Sequence, residues 1–490
     1  MLEGQTNIFE MLYPTYKIKK PIKLIELFAG YGSTKLGWNY LGVEVESYKI
    51  CEWAIKSIQA YKDIHFTNDD TDYSKELSLE EIKDYLFNKG ISSNYNEPMK
   101  KEQIKRLNEK QTRTIYNNII ATHNLVNIQQ VKGKDLEIVD TDKYDYILTY
   151  SFPCQDLSLA GKGKGMSDTS TRSGMLWEVE RILTECKEIG TLPDVLLMEN
   201  VPQVKTNDPI ALNKWVFRLE QLGYKNYCQD LIATDYGIPQ TRNRCFMISI
   251  LGDYNYTFPK PIPLKLKLKD MLEDEVDEKY YLSDKMLNCF LSESEDSKFP
   301  RKERFMQTFN TTNEKGIAAT ITTAAGTRAT DNFIKVGNKS LQETLEQNEI
   351  DDTCYIDTYN KRIDKEKSGT ITTGVSFRNN TFLAIKNATK KGYLEATDGD
   401  GIDLTQPNSE TRWGRVQKES IQTITTQNNL GVVNDLRIRK LTPRECFRLM
   451  GVKDEDFDKV KKNQSDSSLY HLAGDSIVVN VLMAIFEQML

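Results

Sequence analysis

Short apolar runs alternate with helical patterns over the first half of the chain, and this alternation constrains the fold more than any other feature. The run Ile22–Phe28 ends in the glycine-containing loop Ala29–Ser33, and a helical pattern follows. Four later strand candidates share this apolar character: Val43–Ile50, Leu136–Val139, Tyr146–Tyr150 and Val195–Met198. Strands that alternate with helices form βαβ units. The pattern therefore predicts an α/β fold whose parallel sheet is covered by helices on both faces.

The alternation stops after Leu251. Residues 256–435 are polar, strand-like and rich in threonine, asparagine and glycine, and a Thr-Ile-Thr-Thr tetrad recurs at 320–323, 370–373 and 423–426. Such tetrads suit half-buried strands. A chain of 490 residues is long enough for two domains. We predict a catalytic domain over 1–255, with a charged helical insertion at 66–134, a mainly β domain over 256–435, and a segment over 436–490 that returns to the first domain.

Composition limits the class of protein and its surroundings. The eight cysteines form no Cys-x-x-Cys pair and the chain has three histidines, so neither a disulfide framework nor a metal site is predicted. No apolar run reaches the roughly 18–20 residues that span a bilayer, and the N-terminus lacks a signal-peptide pattern. We therefore expect a cytoplasmic protein with no membrane partner. The net charge of −6 (65 − 71) argues against an indiscriminate nucleic-acid coat, but it permits a locally basic cleft.

The loop Phe28–Gly32 predicts a ligand site at the carboxyl end of the first strand. Its glycines let the backbone approach a ligand, but Lys35 stands where a dinucleotide fingerprint needs its third glycine, which disfavours NAD. At the end of the second strand, Glu52 can hold both hydroxyls of a ribose and Trp53 can pack on adenine. This pair fits S-adenosylmethionine, which has a nucleoside but no phosphate. A plain tight turn between strand and helix is the alternative.

Cys154 is the candidate nucleophile. It follows Pro153, whose ring fixes the backbone, directly after the run Tyr146–Tyr150 and two further residues. The basic, glycine-rich loop Gln155–Gly165 comes next, and such a loop can close over a substrate and exclude water. Its lysines favour the thiolate. A lone cysteine is otherwise a small buried hydrophobic residue, so the hypothesis depends on the neighbouring motifs.

Glu199 is the candidate acid. It ends the apolar strand Val195–Met198, where a carboxylate is costly unless it has a partner or a task. There it can hydrogen-bond or protonate a ring nitrogen, although a strand-end charge facing solvent is the alternative. Arg242 and Arg244 alternate on an extended segment and so face one side. They can orient Glu199 or hold a phosphate, with surface ion pairing as the alternative.

Taken together, these motifs resemble the C5 cytosine-specific DNA methyltransferases, particularly the bacterial and phage enzymes. The match is ordered and covers Phe28–Gly32, Glu52-Trp53, Pro153–Gln155, Thr171–Gly174, Glu199–Val201, Gln240–Arg244, Arg439–Gly451 and Gly474–Ser476. Two departures, Ser33 for a common glycine and Asp475 for the usual asparagine, lie near the expected cofactor site. The resemblance implies a Rossmann-like S-adenosylmethionine-dependent methyltransferase domain, with 256–435 as a mainly β target-recognition domain.

The reaction that the resemblance implies transfers a methyl group from S-adenosylmethionine to cytosine C5. The Cys154 thiolate adds to C6 while Glu199 acts at N3, and the resulting enamine attacks the methyl sulfonium. A base that the sequence does not identify then removes the C5 proton, and the Cys154 thiolate leaves C6. Arg244 steadies the ring and Glu199, Asn200 buttresses the loop near Cys154, and Arg242 completes the catalytic set. The cofactor-binding set comprises Phe28, Gly30, Tyr31, Gly32, Glu52, Trp53, Pro153, Asp475 and Ser476.

The implied partner is double-stranded DNA, from which the target base has to be flipped. Residues expected to contact DNA are Gln155, Ser158, Gln240, Arg328 and Arg378. The two last arginines can pair with guanine, with phosphate contact or plain surface charge as alternatives. The insertion at 66–134 is either a solvated helical element or a DNA-contacting arm. We expect a monomer in the bacterial cytoplasm or nucleoid, with a cognate restriction endonuclease for the same site as a further partner.

Three rival functions remain open at the level of sequence. A tRNA cytosine-5 methyltransferase shares the catalytic motifs, although the long region after residue 256 favours DNA. A catalytically dead DNA-binding module is disfavoured because Cys154, Glu199 and Arg244 are all present. An NAD-type oxidoreductase is disfavoured by the missing third glycine.

Overall fold

The structure, a computed structural model, describes residues 13–152, 173–281 and 441–490, together with the backbone of short strands between 311 and 440. Its first sheet has six strands in the order β2-β1-β3-β4-β6-β5. They are β1 (Ile22–Leu27), β2 (Val45–Cys51), β3 (Asp145–Tyr150), β4 (Val195–Asn200), β5 (Tyr224–Ile232) and β6 (Asn243–Leu251). The neighbours among β1 to β4 pair in parallel. Strand β6 is antiparallel to both β4 and β5, so the prediction of a wholly parallel sheet is wrong at this edge.

Helices cover both faces of this sheet, as the alternation predicts. They are α1 (Ser33–Tyr40), α2 (Ile55–His65), α3 (Leu79–Lys89), α4 (Lys101–Lys105), α5 (Glu109–Ala121), α6 (Leu176–Glu188), α7 (Val204–Asn207), α8 (Pro209–Leu222), α9 (Pro443–Leu449), α10 (Asp454–Lys461), α11 (Asp466–Asp475) and α12 (Val479–Glu487). Side chains of α1, α2 and α9 to α12 pack in one core with alternate strand residues such as Leu24 and Ile147. Side chains of α6 and α8 pack on the opposite face with residues such as Ile25 and Leu148. The α/β Rossmann-like prediction is confirmed.

The strand predicted at Leu136–Val139 is absent. A 3-10 helix occupies Gly133–Leu136, and Glu137 and Asp140 adopt positive φ angles of 52° and 53°. The Tyr146 hydroxyl donates to the carbonyl of Val139 at 2.6 Å and accepts from its amide at 3.2 Å. One side chain therefore satisfies the backbone groups that a sheet ladder would otherwise have paired.

The insertion folds as a small helical unit against α2. Helix α3 begins at a capping box, in which the Ser78 hydroxyl accepts from the Glu81 amide, and it ends at Gly90 in the left-handed conformation. A separate apolar cluster joins α3, α4 and α5 to Ile58 of α2, with Trp53 packed against it. Helices α3, α4 and α5 agree with the helical character predicted for this insertion.

The C-terminal segment is part of the first core. Trp38 of α1 stacks on Phe486 of α12 with ring centroids 4.0 Å apart. The helical stretch Asp466–Glu487 is long and apolar enough to cross a membrane, with a mean hydropathy of 1.6, but 72% of its apolar window is buried inside the protein. Its apolar character is therefore accounted for by packing in the core.

Between residues 311 and 440 the described backbone is β-structured. One sheet contains β7 (Thr311–Thr312), β8 (Phe333–Val336), β13 (Asp400–Asp403), β14 (Val416–Gln417), β15 (Leu430–Asn434) and β16 (Arg437–Lys440). Two hairpins are formed by β9 (Tyr355–Asp357) with β10 (Arg362–Asp364), and by β11 (Leu383–Lys386) with β12 (Tyr393–Ala396). The predicted mainly β character agrees with these strands. The three Thr-Ile-Thr-Thr tetrads lie outside the described residues, and the domain boundaries stay predictions.

Candidate functional site

The loop after β1 turns sharply at the carboxyl edge of the sheet. Phe28, Gly30 and Gly32 have φ angles of 59°, 55° and 81°, in the left-handed region that favours glycine. A Cβ added at Gly30 would have no atom within 4 Å, whereas one at Gly32 would lie 2.3 Å from Nε2 of His65. Gly30 therefore leaves the backbone open to a ligand, and Gly32 allows the close approach of α2 beneath the loop.

A cleft of about 590 Å³, open to solvent, lies above this loop. Its lining includes the loop residues Phe28–Tyr31, the end of β3 and Leu197 in the middle of β4. From the C-terminal segment it includes His471, Leu472, Asp475, Ser476 and Ile477. Within the described part of the chain, no cluster of histidine, cysteine, aspartate and glutamate side chains has the arrangement of a metal site.

Glu52 lies at the end of β2 and clamps the turn between strand and loop. Its Oε2 accepts from the amide of Gly30 at 3.0 Å, and its Oε1 accepts from the amide of Ala54 at 2.7 Å. Burial raises the pKa of Glu52 to about 7, although both backbone donors favour the ionised form. Neither Glu52 nor Trp53 is among the cleft-lining residues, and Trp53 packs on the apolar cluster of the insertion. Glu52 therefore acts on the cleft indirectly, by fixing the backbone of Gly30, which does line it.

The turn between α11 and α12 closes the cleft from the C-terminal side. The Ser476 hydroxyl donates to the hydroxyl of Tyr31, and the amide of Ile477 donates to the Ser33 hydroxyl at 3.4 Å. Tyr31 also stacks on Phe447 with ring centroids 5.3 Å apart. The predicted cofactor residues Tyr31 and Ser476 are thus brought together, and Ser33, which departs from the family pattern, contributes to the same junction. Asp475 lines the cleft beside them.

Glu199 occupies a pocket of donors at the end of β4. Its side chain is 4% exposed. Arg244 of β6 places Nε 3.1 Å from Oε1, and the hydroxyl of Ser151, which follows β3, donates to Oε2. The antiparallel pairing of β4 with β6 brings the arginine to the carboxylate. The carboxylate therefore has both a charged and a neutral partner, and the interpretation of Glu199 as a solvent-facing charge is wrong.

Asn200 holds the end of β3. Its Nδ2 donates to the carbonyl of Phe152 at 3.0 Å, and its Oδ1 accepts from the amide of Val201 at 2.9 Å. Phe152 is the last described residue before the predicted nucleophile motif, since Pro153, Cys154, Gln155 and Ser158 lie outside the described residues. The structure therefore places the start of that motif beside Glu199 without describing the cysteine itself.

Two residues of the Gln-x-Arg-x-Arg motif have roles that differ from the predicted ones. Gln240 is fully buried and its Nε2 donates to the carbonyl of Leu449 at 2.5 Å, so the prediction that it contacts DNA is wrong. Arg242 donates to the carbonyls of Gly474 and Ser476 at 3.2 and 2.7 Å. Arg242 therefore fixes the cofactor-side turn, and within the described residues Arg244 is the arginine that forms an ion pair with Glu199.

Three residues near the cleft escaped the sequence prediction as site residues. Ser151 could be identified only from the pairing of β3 with β4. Tyr150 lies opposite Met198, so the residues that follow on the two strands, Ser151 and Glu199, are neighbours. His471 lies one helical turn before Asp475, with Nε2 2.9 Å from its Oδ2. Glu26 lines the floor of the cleft, where burial raises its pKa to about 7. Arg328 and Arg378, the predicted base readers, lie outside the described residues.

Comparisons with known proteins assign this arrangement to a family. The sequence model described as C-5 cytosine-specific DNA methylase matches residues 90–490. The orphan methyltransferase M.SssI of Spiroplasma monobiae is 38% identical over 271 residues, which cover 54% of this chain and 68% of that relative. The type II methyltransferase M2.ScrFI of Lactococcus lactis subsp. cremoris is 28% identical over 472 residues, or 96% of this chain and 99% of the relative.

A solved structure supports the fold. The crystal structure of the Dnmt2 methyltransferase of S. pombe covers 95% of this chain and 98% of its own, with a TM-score of 0.50 and 14% sequence identity. At this identity the likeness concerns the fold alone. It agrees with the mixed six-stranded sheet and its two layers of helices.

Proposed function

The chain belongs to the C-5 cytosine-specific DNA methylase family, and we propose that it transfers a methyl group from S-adenosylmethionine to C5 of a cytosine flipped out of a specific short duplex sequence. The reaction would pass through a covalent adduct of Cys154. One observation carries the proposal: a buried carboxylate, Glu199, is held by Arg244 and Ser151 at the sheet edge where the Cys154 motif begins.

The cleft fits S-adenosylmethionine in its chemistry. Gly30 exposes backbone, Glu52 fixes that backbone, and Glu26 and Asp475 add carboxylates to the lining, which suit ribose hydroxyls and a sulfonium cation. When bound, S-adenosylmethionine supplies a methyl group that an electron-rich C5 can accept. Phe28, Tyr31 and Ser476 would line the site, with Pro153 as a further candidate, whereas Trp53 packs on the insertion outside the cleft lining.

The residues at the ends of β3 and β4 supply the base chemistry in this proposal. Cytosine C5 is a poor nucleophile, and addition of the Cys154 thiolate to C6 makes it electron-rich. Glu199 would donate a hydrogen bond or a proton at N3, so that the negative charge that the addition develops on the ring is stabilised. Arg244 keeps the Glu199 carboxyl oriented, so that no free energy is needed to reorient this group during the reaction. Asn200, through its bond to the carbonyl of Phe152, sets the position from which Cys154 attacks.

A base inside a duplex cannot reach this buried edge, and the proposal therefore requires base flipping. We assign sequence reading to region 256–435, with Gln155, Ser158, Arg328 and Arg378 as DNA-contacting candidates. Type II methyltransferases among the relatives support a restriction–modification setting, in which a cognate endonuclease would act on the same site. A cytoplasmic monomer working on chromosomal DNA is the corresponding proposal for location and assembly.

The test is bisulfite sequencing of unmethylated genomic DNA after incubation with the protein and S-adenosylmethionine, beside Cys154→Ala. We expect protected cytosines within one short motif for the wild type and none for the variant. A duplex carrying 5-fluorocytosine at that motif should trap an SDS-stable protein–DNA complex, because fluorine cannot leave C5 as the proton does. Methylation of tRNA with duplex DNA left unmodified would overturn the substrate, and methylation by Cys154→Ala would overturn the adduct.

A further inference from the structure

Tyr95, in the insertion, packs against a residue that lines the cofactor cleft. Its ring lies against that of His471, with centroids 3.8 Å apart and an interplanar angle of 39°. His471 lines the cleft, but Tyr95 does not line it and stands behind the histidine. The insertion at 66–134 therefore packs, through Tyr95, on the side of the cleft that the C-terminal segment forms.

The loop that carries Tyr95 is fixed to the end of β2. The amide of Ser92 donates to the carbonyl of Trp53 at 2.7 Å, and the carbonyl of Ser92 accepts from the amide of Ile55 at 2.9 Å. The Ser92 hydroxyl donates to the carbonyl of Glu97 at 2.8 Å and so closes the loop on itself. These bonds hold the Tyr95 loop next to Glu52. The position of this loop is therefore coupled to the end of β2, at the edge of the sheet where the cofactor would bind.

Tyr95 is held in an unfavourable conformation. Its φ angle of 62° lies in the left-handed region, which is costly for an aromatic residue and persists where the surroundings impose it. Its hydroxyl is buried, with the side chains of Ser57 and Ser468 beside it. Burial, with the negative charges of Asp475 and Glu52 nearby, raises the pKa of this hydroxyl. The position is therefore electrostatically linked to both carboxylates that flank the cleft.

His471 transmits the contact to the cleft. Its Nε2 lies 2.9 Å from Oδ2 of Asp475, one helical turn further along α11, and both residues line the cleft. The histidine ring thus packs against Tyr95 and brings its Nε2 close to the Asp475 carboxylate, in a geometry that is not that of a hydrogen bond. Removing the Tyr95 ring would leave the His471 side chain able to change its conformation, and the neighbouring Asp475 side chain would lose its fixed position as well.

We propose that Tyr95 is a positioning residue of the cofactor site, whose ring holds the His471–Asp475 pair against bound S-adenosylmethionine. The insertion at 66–134 is then part of the cofactor site. This inference rests on the proposed function, because it requires S-adenosylmethionine in the cleft. It also distinguishes the insertion from a DNA-contacting arm, since the predicted effect falls on the cofactor and not on DNA.

The test compares Tyr95→Ala, Tyr95→Phe and Tyr73→Ala by calorimetric binding of S-adenosylmethionine and by steady-state kinetics. Tyr73 is a matched control, an insertion tyrosine that is 38% exposed and bonded to Asp69. Loss of an aromatic contact predicts a rise of about three- to tenfold in Kd and in KM for S-adenosylmethionine with Tyr95→Ala. The kcat at saturation and the KM for DNA should not change. Tyr95→Phe keeps the ring and should stay within about twofold of wild type, as should Tyr73→Ala.

A double-mutant cycle with His471→Ala tests the route of the effect. If Tyr95 acts through the histidine, the double variant binds S-adenosylmethionine no more weakly than His471→Ala alone. Additive losses, equal binding by Tyr95→Ala and wild type, or an equal loss with Tyr95→Phe or Tyr73→Ala would each overturn the inference. A wild-type protein that binds no S-adenosylmethionine would instead overturn the proposed function, so the two failures are distinguishable.

Discussion

At the residue scale, the site depends on a carboxylate that the fold buries together with its partners. Glu199 is 4% exposed, and an isolated charge at that depth would be strongly destabilising. Arg244 and Ser151 offset that cost from the two strands that flank β4. The arrangement was partly predictable, since a glutamate ending an apolar strand required a partner. The sequence could not say which of Arg242 and Arg244 supplied it, because both share one side of an extended segment.

Arg244→Ala should separate catalysis from cofactor binding. The variant leaves Glu199 with Ser151 alone and an unoriented carboxyl, so kcat should fall about 100-fold or more. The Kd for S-adenosylmethionine should stay close to wild type, because Arg244 is not among the cleft-lining residues. Arg218→Ala removes a surface arginine paired with Glu180 and serves as the control. An unchanged kcat for Arg244→Ala, measured on a folded variant, would show that the pair is structural only.

Glu26 gives a pH-dependent prediction. Its carboxyl is 2% exposed, Tyr61 donates to it at 2.5 Å, and burial raises its pKa to about 7. The folded chain then holds a proton that the unfolded chain releases near the ordinary carboxyl pKa of 4.5. This contribution to stability is fully present below about pH 4.5 and is lost as the pH rises through 7.

Glu26→Gln stays neutral at every pH and removes this dependence. Between pH 5 and 8, the free energy of unfolding of the wild type should fall by about 3 kcal/mol relative to Glu26→Gln. Urea unfolding of both proteins at each pH measures the difference. A wild-type free energy of unfolding that stays constant or rises with pH, relative to that of Glu26→Gln, would mean that Glu26 is ionised in the folded protein.

At the element scale, helix ends were more predictable than strands. Helix α8 ends at Leu222 with Gly223 in the left-handed conformation, as expected from a local preference of the backbone. The error at Leu136–Val139 has a non-local cause, because Tyr146 supplies the hydrogen bonds that a strand would have needed. Strand β5 was missed for a related reason. It lies at the sheet edge, and its polar residues match neither a buried strand nor a helix.

Gly32 and Gly42 allow the loop after β1 to be tested against a matched control. Both have positive φ angles, 81° and 73°, but an added Cβ meets open space at Gly42 and lies 2.6 Å from the Tyr61 ring at Gly32. Gly42→Ala should cost about 1–2 kcal/mol of stability from backbone strain alone. Gly32→Ala should cost about 1–3 kcal/mol more and abolish cofactor binding, because the loop must move off α2. Chemical denaturation and calorimetry measure both effects, and equal losses would contradict the close approach of α2.

At the scale of the whole molecule, the two ends of the described chain build one site. Residues 22–52 supply the loop and its acidic clamp, and residues 441–490 supply the opposite wall through Ser476, His471 and Asp475. The order of the motifs predicted this return but not its mechanism. Gln240 and Arg242 hold the C-terminal segment against the sheet by donating hydrogen bonds to its backbone carbonyls. These bonds explain why Gln240, which was expected to contact DNA, and Arg242, which was expected near the reacting base, lie inside the protein.

Phe486→Ala tests whether the C-terminal helix and the cofactor site form one cooperative unit. Phe486 stacks on Trp38 at 4.0 Å and lies 3.1 Å from a Cβ built on Gly37, so α12 and α1 are in close contact. Truncation should cost about 3–5 kcal/mol of stability. It should also weaken S-adenosylmethionine binding, because the turn before α12 carries Ile477, which bonds Ser33 at the cleft.

Phe217→Ala, at a phenylalanine that is 56% exposed on α8, is the matched control and should change stability by less than about 0.5 kcal/mol. Tryptophan fluorescence and far-UV circular dichroism should give the same urea midpoint for Phe486→Ala if the unit unfolds together. Two separate transitions, with S-adenosylmethionine binding lost in the first, would instead show that the C-terminal segment detaches before the sheet unfolds. The cofactor site would then be assembled by docking of that segment, and its affinity would be limited by the docking equilibrium.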